Sequence, residues 1–481
     1  MAKTTLVWLQ RELRLSHFPA LEKAIADSER VAVVYFHDPK QLIGDANSAW
    51  LAQSLQTLKQ QLRARGGELL IFSGDFADSF AQALQLIEPT QVFYSFQVGQ
   101  PFSAMQNEAL TLCQQNKVVL QPFFSEFWFD PGVVVNKQKN PYVVFTPFYK
   151  AALAQIHTLE PFNDEVTENS ADWKKLAWPE FKEQGLSVIP EDLLAIQQQP
   201  WAKKILKHWS IGEQGAWQKL RYFIDDHLAD YNEDRDFPAI EATSALSPYL
   251  HFGEISSRAI YFELLALSEQ QSIHYQPWVR QLLWREFARL LLWFFPYTEQ
   301  EPFQQKFSIM EWQTDAELIE AWQKGLTGIP IVDAGMRQLW ETGYMHNRVR
   351  MVVASLLTKD LNQSWLHGLQ WFADTLVDAD PANNAMGWQW VAGCGVDAAP
   401  YYRLFNPLRQ SERFDAEGEY IRQWVPELKT LSKKAVHAPW LHQEECKMKG
   451  IQLGQDYPLP LVDLNQSRKR HLQRVEQLKQ T

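Results

Sequence analysis

Hydrophobic and polar positions change their period along this chain. In its first part, short apolar runs at residues 6–9, 31–36, 69–72 and 92–96 read as buried strands. Helix-length amphipathic stretches lie between them, notably 48–65 and 76–87. That alternation predicts an α/β domain with a doubly wound parallel sheet over roughly residues 1–130. Residues 131–200 are rich in Pro, Asn, Lys and Glu and weakly periodic, which predicts a long connector wrapping the surface. From Trp201 the spacing is helical almost throughout, most clearly at 278–295, 314–324, 332–342 and 348–361, so residues 201–481 are expected to form an all-α domain. The charged tail after Tyr457 reads as a last helix or a frayed end. No short period repeats, which argues against a solenoid.

Composition narrows the classes. The opening apolar run is four residues long and Arg11 and Arg14 follow it, so it reads as a first strand rather than a signal peptide. No apolar stretch is long enough to span a membrane. The three cysteines, Cys113, Cys394 and Cys446, have no CxxC spacing. Neither a disulfide framework nor an all-cysteine cluster follows, no metal is expected, and a reducing cytoplasm is the expected compartment. A net charge of -11 argues against nucleic-acid binding over the whole surface, so any DNA contact must rest on clustered arginines. The 20 tryptophans are the unusual count. Each indole N–H wants a partner when buried; the group reads either as large helical cores or as rings that stack on ligands and carry electrons.

Walker A, HExxH and GxSxG patterns are absent. Gly393-Cys-Gly395-Val-Asp-Ala398 fits a dinucleotide loop in spelling only. It follows a helical run rather than a strand, and Ala399-Pro400 stands where a helix should open. The densest stretch runs from Asp378 to Trp390, with Asp380, Asn383, Asn384 and Trp388 inside it. Trp388 and Trp390 are two apart, so on a helix they serve different neighbours. Further clusters are Trp284-Arg-Glu-Phe287, Met345-His-Asn-Arg-Val-Arg-Met351 and Thr243-Ser-Ala-Leu-Ser247, the last a hydroxyl run suited to a phosphate or a helix cap.

Together these stretches resemble the photolyase/cryptochrome family, and most closely its cyclobutane pyrimidine dimer photolyases. The matching pieces are Arg235-Asp-Phe-Pro, Thr243-Ser-x-Leu-Ser247, Leu283-Trp-Arg-Glu-Phe287, Gly328-Ile-Pro-Ile-Val-Asp-Ala334, Met345-His-Asn-Arg-Val-Arg350, Asn383-Asn-x-x-Gly-Trp-Gln-Trp390 and Asp397-Ala-Ala-Pro-Tyr-Tyr-Arg403. The opening Leu6-Val-Trp-Leu-Gln-Arg-Glu-Leu-Arg14 and Val144-Phe-Thr-Pro-Phe148 match as well. The resemblance implies FAD in the helical domain. It places Tyr231, Thr243, Ser244, Ala245, Leu246, Ser247, Arg235, Arg285, Asn347, Arg348, Asp378, Asp380 and Asn383 around that cofactor. Arg235 and Asp378 would pair beside the flavin, with Asn383 facing its N5. Trp388, Trp365 and Trp312 would pass electrons to the flavin, Trp388 being nearest; core packing is the alternative reading. Trp284, Gln281, Asn347, Met351 and Trp390 would line the cavity for a flipped dimer. Arg348, Arg350 and Arg403 would meet DNA phosphates, or form structural ion pairs.

The implied activity is light-driven repair of cyclobutane dimers in UV-damaged DNA by a monomeric, membrane-free enzyme. The alternative is a blue-light photoreceptor of cryptochrome type without repair. Asn347, where (6-4) enzymes of the main eukaryotic group carry histidine, and Asn383 favour dimer repair. Gln281 stands where dimer-specific relatives carry Glu; an amide can exchange hydrogen bonds but cannot release a proton, so slower repair is expected. Many relatives bind a folate or deazaflavin antenna, but the stretch after Val98 and the replacement of a common acid by His17 predict weak or absent antenna binding. An unrelated flavoprotein or a purely structural protein would leave the Trp284 and Trp390 positions unexplained.

Overall fold

The computed structural model describes residues 3–41, 44–162, 172–270, 274–398 and 400–480. Five strands, β1 (Thr4–Leu9), β2 (Arg30–His37), β3 (Leu69–Ser73), β4 (Gln91–Ser95) and β5 (Val119–Phe123), make one parallel sheet in the order β3-β2-β1-β4-β5. Val7 of the central strand faces Val33 on one side and Phe93 on the other. Helices α1 (Pro19–Asp27), α2 (Asp45–Ala64), α3 (Phe76–Ile87) and α4 (Phe102–Gln115) follow the first four strands. β1 is buried along its whole length, as a strand covered on both faces must be, and so reads as a continuous apolar run. Trp8 from β1 packs on Phe76 and Phe80 of α3, with ring centroids 5.2 and 5.7 Å apart. The doubly wound sheet expected from the sequence is present with one strand more. β5 is an edge strand whose Gln121 and Pro122 break any apolar run, and an edge is where a proline can sit.

By backbone proximity the chain divides into two compact units, Met1–Ala229 with Ser244–Phe294, and Asp230–Thr243 with Phe295–Thr481. In the first unit the expected connector is not a structureless wrap. It holds the helices Phe145–Gln155 and Glu191–Gln198 and the short Pro179–Glu183. Trp178 between them docks on the sheet, its indole N–H donating to Val31 O at 2.8 Å with the Arg30 guanidinium over its ring at 3.7 Å. Pro179 starts the short helix, Pro190 precedes Glu191–Gln198 and Pro200 starts a further helix, Pro200–Leu206, so the prolines chop the periodicity into pieces too short to read.

The opening motif ends in a buried ion cluster. Arg14 is 1% exposed; it bonds Glu126 at 3.0 Å, Glu12 at 3.3 Å and Gly253 O at 2.8 Å. Arg285 approaches the same Glu126 at 3.4 Å. Burial raises the Glu12 pKa to about 8, whereas Arg14 and Arg285 outweigh burial at Glu126 and lower its pKa. A charge buried so deeply persists only with partners of this kind.

The second unit is helical. The Gly328-Ile-Pro-Ile-Val-Asp stretch opens the helix Pro330–Thr342, and Asp333 closes its start by accepting from Thr327 N, Gly328 N and the Tyr457 hydroxyl. Gly328 has φ +73°, and a Cβ there would lie 2.3 Å from Leu459 O, so no side chain fits. The helix expected over 348–361 is α-helical only over Asn347–Ser355; a wider π turn, Leu356–Asp360, follows. The tail forms the helix Leu464–Gln480. Among the described residues no helix is long and apolar enough to cross a membrane.

Candidate active site

In the second unit, His346 caps the helix Asn347–Ser355 by accepting from Arg348 N at 3.2 Å. Burial lowers its pKa to about 4, which keeps the imidazole neutral and able to accept. The cap starts the helix so that Asn347, exposed, and Met351, half-buried, fall one turn apart. Arg348 pairs with Asp236 at 2.7 Å and lies over the Phe414 ring at 4.4 Å. Arg350 takes both oxygens of Asp378, at 3.1 and 2.8 Å, and donates to Met345 O at 2.7 Å. Burial opposes the Arg350 charge, but Asp378 outweighs it and raises the pKa. Arg235 places its guanidinium over the Tyr231 ring at 5.3 Å, and burial pushes the Tyr231 phenol up to about 12. Thr243 shares a hydrogen bond with Tyr344.

Asp380 begins the helix Pro381–Ala392 as its N-cap, with Pro381 at the first helical position. The same Asp380 oxygen accepts from Asn383 N at 2.9 Å and from Asn383 Nδ2 at 2.8 Å. The exposed Asn383 amide is thereby oriented with its carbonyl left as acceptor. Farther along, Trp388 is buried against Phe372 (5.0 Å) and Trp322 (6.1 Å), and its ring tip touches the backbone of Gly368 on the helix Trp365–Thr375. Its Nε1–H is buried without a partner. Trp365 and Trp388 belong to one apolar cluster, with Trp312 packed against it. Trp390, half-buried, lies 6.0 Å from Phe405. Arg403 is exposed, its guanidinium over Phe405 at 5.3 Å. Gln389, between the two tryptophans, was not singled out by sequence. It orders a neighbouring segment by donating to Thr298 O and Glu301 O and accepting from Phe303 N. Gly393 ends the helix in a left-handed cap, so the G-x-G spelling is a helix terminus; Ala399 lies outside the described residues.

In the first unit the helix Gln276–Phe294 carries Gln281, Trp284 and Arg285. Trp284 stacks face to face on Phe145, centroids 3.5 Å apart and planes at 9°. Phe148 meets Phe287 at 5.1 Å, so the Val144-Phe-Thr-Pro-Phe148 stretch is the backing of this helix. Gln281 donates through Nε2 to Pro277 O at 3.2 Å. Arg285 donates to Leu250 O at 3.0 Å. Glu286 accepts from Trp128 N at 3.0 Å and Phe129 N at 3.4 Å, and burial raises its pKa to about 7. In the hydroxyl run, Ser244 accepts from Leu246 N at 3.4 Å and Ala245 takes φ +49°, a left-handed conformation that costs a non-glycine residue about 1–2 kcal/mol. Ser247 begins the short helix Ser247–His251, which has no side-chain cap.

Comparison with known proteins places this architecture. A family model for the FAD binding domain of DNA photolyase matches residues 278–477, and one for DNA photolyase matches residues 5–167. A deoxyribodipyrimidine photo-lyase of Agrobacterium fabrum is 38% identical, over 99% of this chain and 98% of its own. The crystal structure of a bacterial class III photolyase from Agrobacterium tumefaciens superposes with a TM-score of 0.89 at 37% identity, covering 100% of this chain and 98% of that one. A Synechocystis cryptochrome superposes at 0.88 with 29% identity, covering 98% and 99%. The chain belongs to the photolyase and cryptochrome family.

Proposed function

We propose that the protein is a deoxyribodipyrimidine photolyase that uses FAD and blue light to repair cyclobutane pyrimidine dimers in UV-damaged DNA. The observation that carries this reading is Asn383, held by Asp380 with its carbonyl free. A neutral acceptor at the flavin N5 position is what photolyases use, where plant-type cryptochromes favour an acid and animal-type ones a cysteine. The residues fit the cofactor: the Trp388 indole N–H and Arg348 Nε are buried donors without partners, and Ala245 holds a strained turn in the phosphate-side loop. Tyr231, Arg235, Thr243 to Ser247, Arg285, Asn347, Arg348, Asp378 and Asp380 would hold FAD. When bound and reduced, FAD supplies a light-promoted electron that opens the cyclobutane ring and then returns, with no net redox change. Trp284 and Trp390 offer ring faces to the flipped dimer, Asn347, Met351 and Gln281 its polar and apolar edges, and Arg403 a phosphate contact. Arg348 and Arg350, already ion-paired, act by shaping that surface. Trp388, Trp365 and Trp312 would pass electrons to the bound cofactor.

In function, residues 1–130 serve as the antenna-type domain, 131–200 as connector and 201–481 as the FAD-binding and catalytic domain. The working form is a cytoplasmic monomer. The test is loss of a dimer from an oligonucleotide incubated with the purified, reduced protein, in blue light and in the dark. Loss only in the light supports the reading, with a spectrum expected to show flavin alone. Bound flavin that is photoreduced through Trp388 while dimers persist would make the protein a photoreceptor of cryptochrome type.

A further inference from the structure

Arg403 lies in a segment whose backbone is held by buried side chains from three other elements. Lys359 donates from Nζ to Arg403 O at 2.6 Å. His471 Nε2 bonds Tyr401 O at 2.8 Å, and Ser355 accepts from Phe405 N at 3.1 Å. Lys359 and His471 have no exposed surface, so neither can reach a ligand in solvent. Lys359 comes from the π turn Leu356–Asp360, and His471 from the terminal helix Leu464–Gln480. These two elements are stapled to each other: Arg474 donates to Lys359 O at 2.8 Å and Ser467 to Asp360 at 2.6 Å.

A buried ammonium is a costly way to satisfy one carbonyl, and burial pulls the Lys359 pKa down to about 7. Its reach is the compensating feature. The long stem crosses from the π turn to the Arg403 peptide and fixes that peptide plane while the guanidinium stays exposed over Phe405.

We propose that Lys359, seconded by His471, is a positioning residue for Arg403, and that the terminal helix thereby belongs to the DNA-binding apparatus. The inference rests on reading Arg403 as a phosphate contact. Both statements are read from the salt dependence of binding to dimer-containing duplex DNA, measured on the full-length flavoprotein. Each phosphate contact contributes about 0.9 to the slope of log affinity against log salt. Arg403→Ala should lower the slope by about that amount. Lys359→Met, although it cannot touch DNA, should lower it equally and weaken binding about tenfold at moderate salt. The double variant should show no further loss, with flavin content and photoreduction unchanged. His471→Leu attacks the same segment from the other element and gives the same readout should Lys359→Met not fold. If Arg403→Ala lowers the slope but Lys359→Met and His471→Leu leave it at the wild-type value, the positioning role is overturned while the contact stands. An unchanged slope in Arg403→Ala overturns the contact itself.

Discussion

Phe145 supports Trp284 from behind, ring on ring at 3.5 Å with 9° between the planes. The Arg280 guanidinium lies over Phe145 at 4.9 Å and over Tyr149 at 4.7 Å, so the indole belongs to a stack that fixes its tilt. Aromatic pairs of this kind contribute about 0.5–1.5 kcal/mol beyond their buried area. If Trp284 offers its face to the flipped dimer, Phe145→Leu should weaken affinity for dimer-containing DNA about two- to tenfold. Affinity for undamaged DNA of the same length should stay put, because phosphate contacts dominate that binding. Equal weakening on both DNAs would show that Phe145 serves the fold and not the ring.

Gly368 makes room for Trp388. A Cβ on Gly368 would lie 2.0 Å from the indole ring tip, so Gly368→Ala must displace the ring. Alanine favours the helix by about 1 kcal/mol over glycine, so helix propensity cannot explain a loss. The expected outcome is slower light-driven reduction of oxidised flavin, measured by absorbance, with repair by chemically reduced protein retained. A photoreduction rate equal to wild type would remove Trp388 from the electron route.

Much of the fold is legible in the sequence, and what is hidden is hidden for physical reasons. Four strands announced themselves because a strand buried on both faces is a plain apolar run. β5 did not, since an edge strand carrying Pro122 has no such run. The Asp380-Pro381 opening of the Asn383 helix is a signal that the motif-based reading passes over: an acid before a proline is the spelling of a capped start. The Arg350–Asp378 pair spans 28 residues, and no local spacing announces it. The resemblance implies a pair between Asp378 and Arg235; the bidentate partner of Asp378 is Arg350. The Trp284 motif is visible in the sequence but the ring that backs it is not, because Phe145 comes from a stretch that reads as connector.

Glu286 gives the stability a pH dependence that can be read by difference. Its carboxyl is 1% exposed, one oxygen accepts two backbone amides and the other has no partner. Burial raises the pKa from 4.5 to about 7. A folded-state pKa above the unfolded one favours the protonated form. The contribution is therefore whole below pH 4.5 and lost as pH rises through 7. Against Glu286→Gln, which keeps an acceptor and cannot ionise, wild type should lose about 3 kcal/mol of relative stability between pH 4.5 and 7.5. Urea unfolding at both pH values checks this, and a constant difference would mean that Glu286 does not change protonation on folding.

Gln281 is the residue on which repair efficiency should turn. Its Nε2 donates one N–H to Pro277 O one turn back, which leaves the second N–H and the amide oxygen available. An amide oxygen accepts hydrogen bonds but can neither release a proton nor follow a charge that builds up on the dimer. Glutamic acid can do both when it enters the reaction protonated, at the cost of the bond to Pro277 O whenever it is ionised. Gln281→Glu should therefore raise the number of dimers repaired per absorbed photon, and the gain should shrink as pH rises and the new carboxyl ionises. Affinity for the lesion should change by less than the yield. A yield that is the same in both proteins across that pH range would show that proton supply from this position does not limit ring opening, and that the cavity tolerates either side chain.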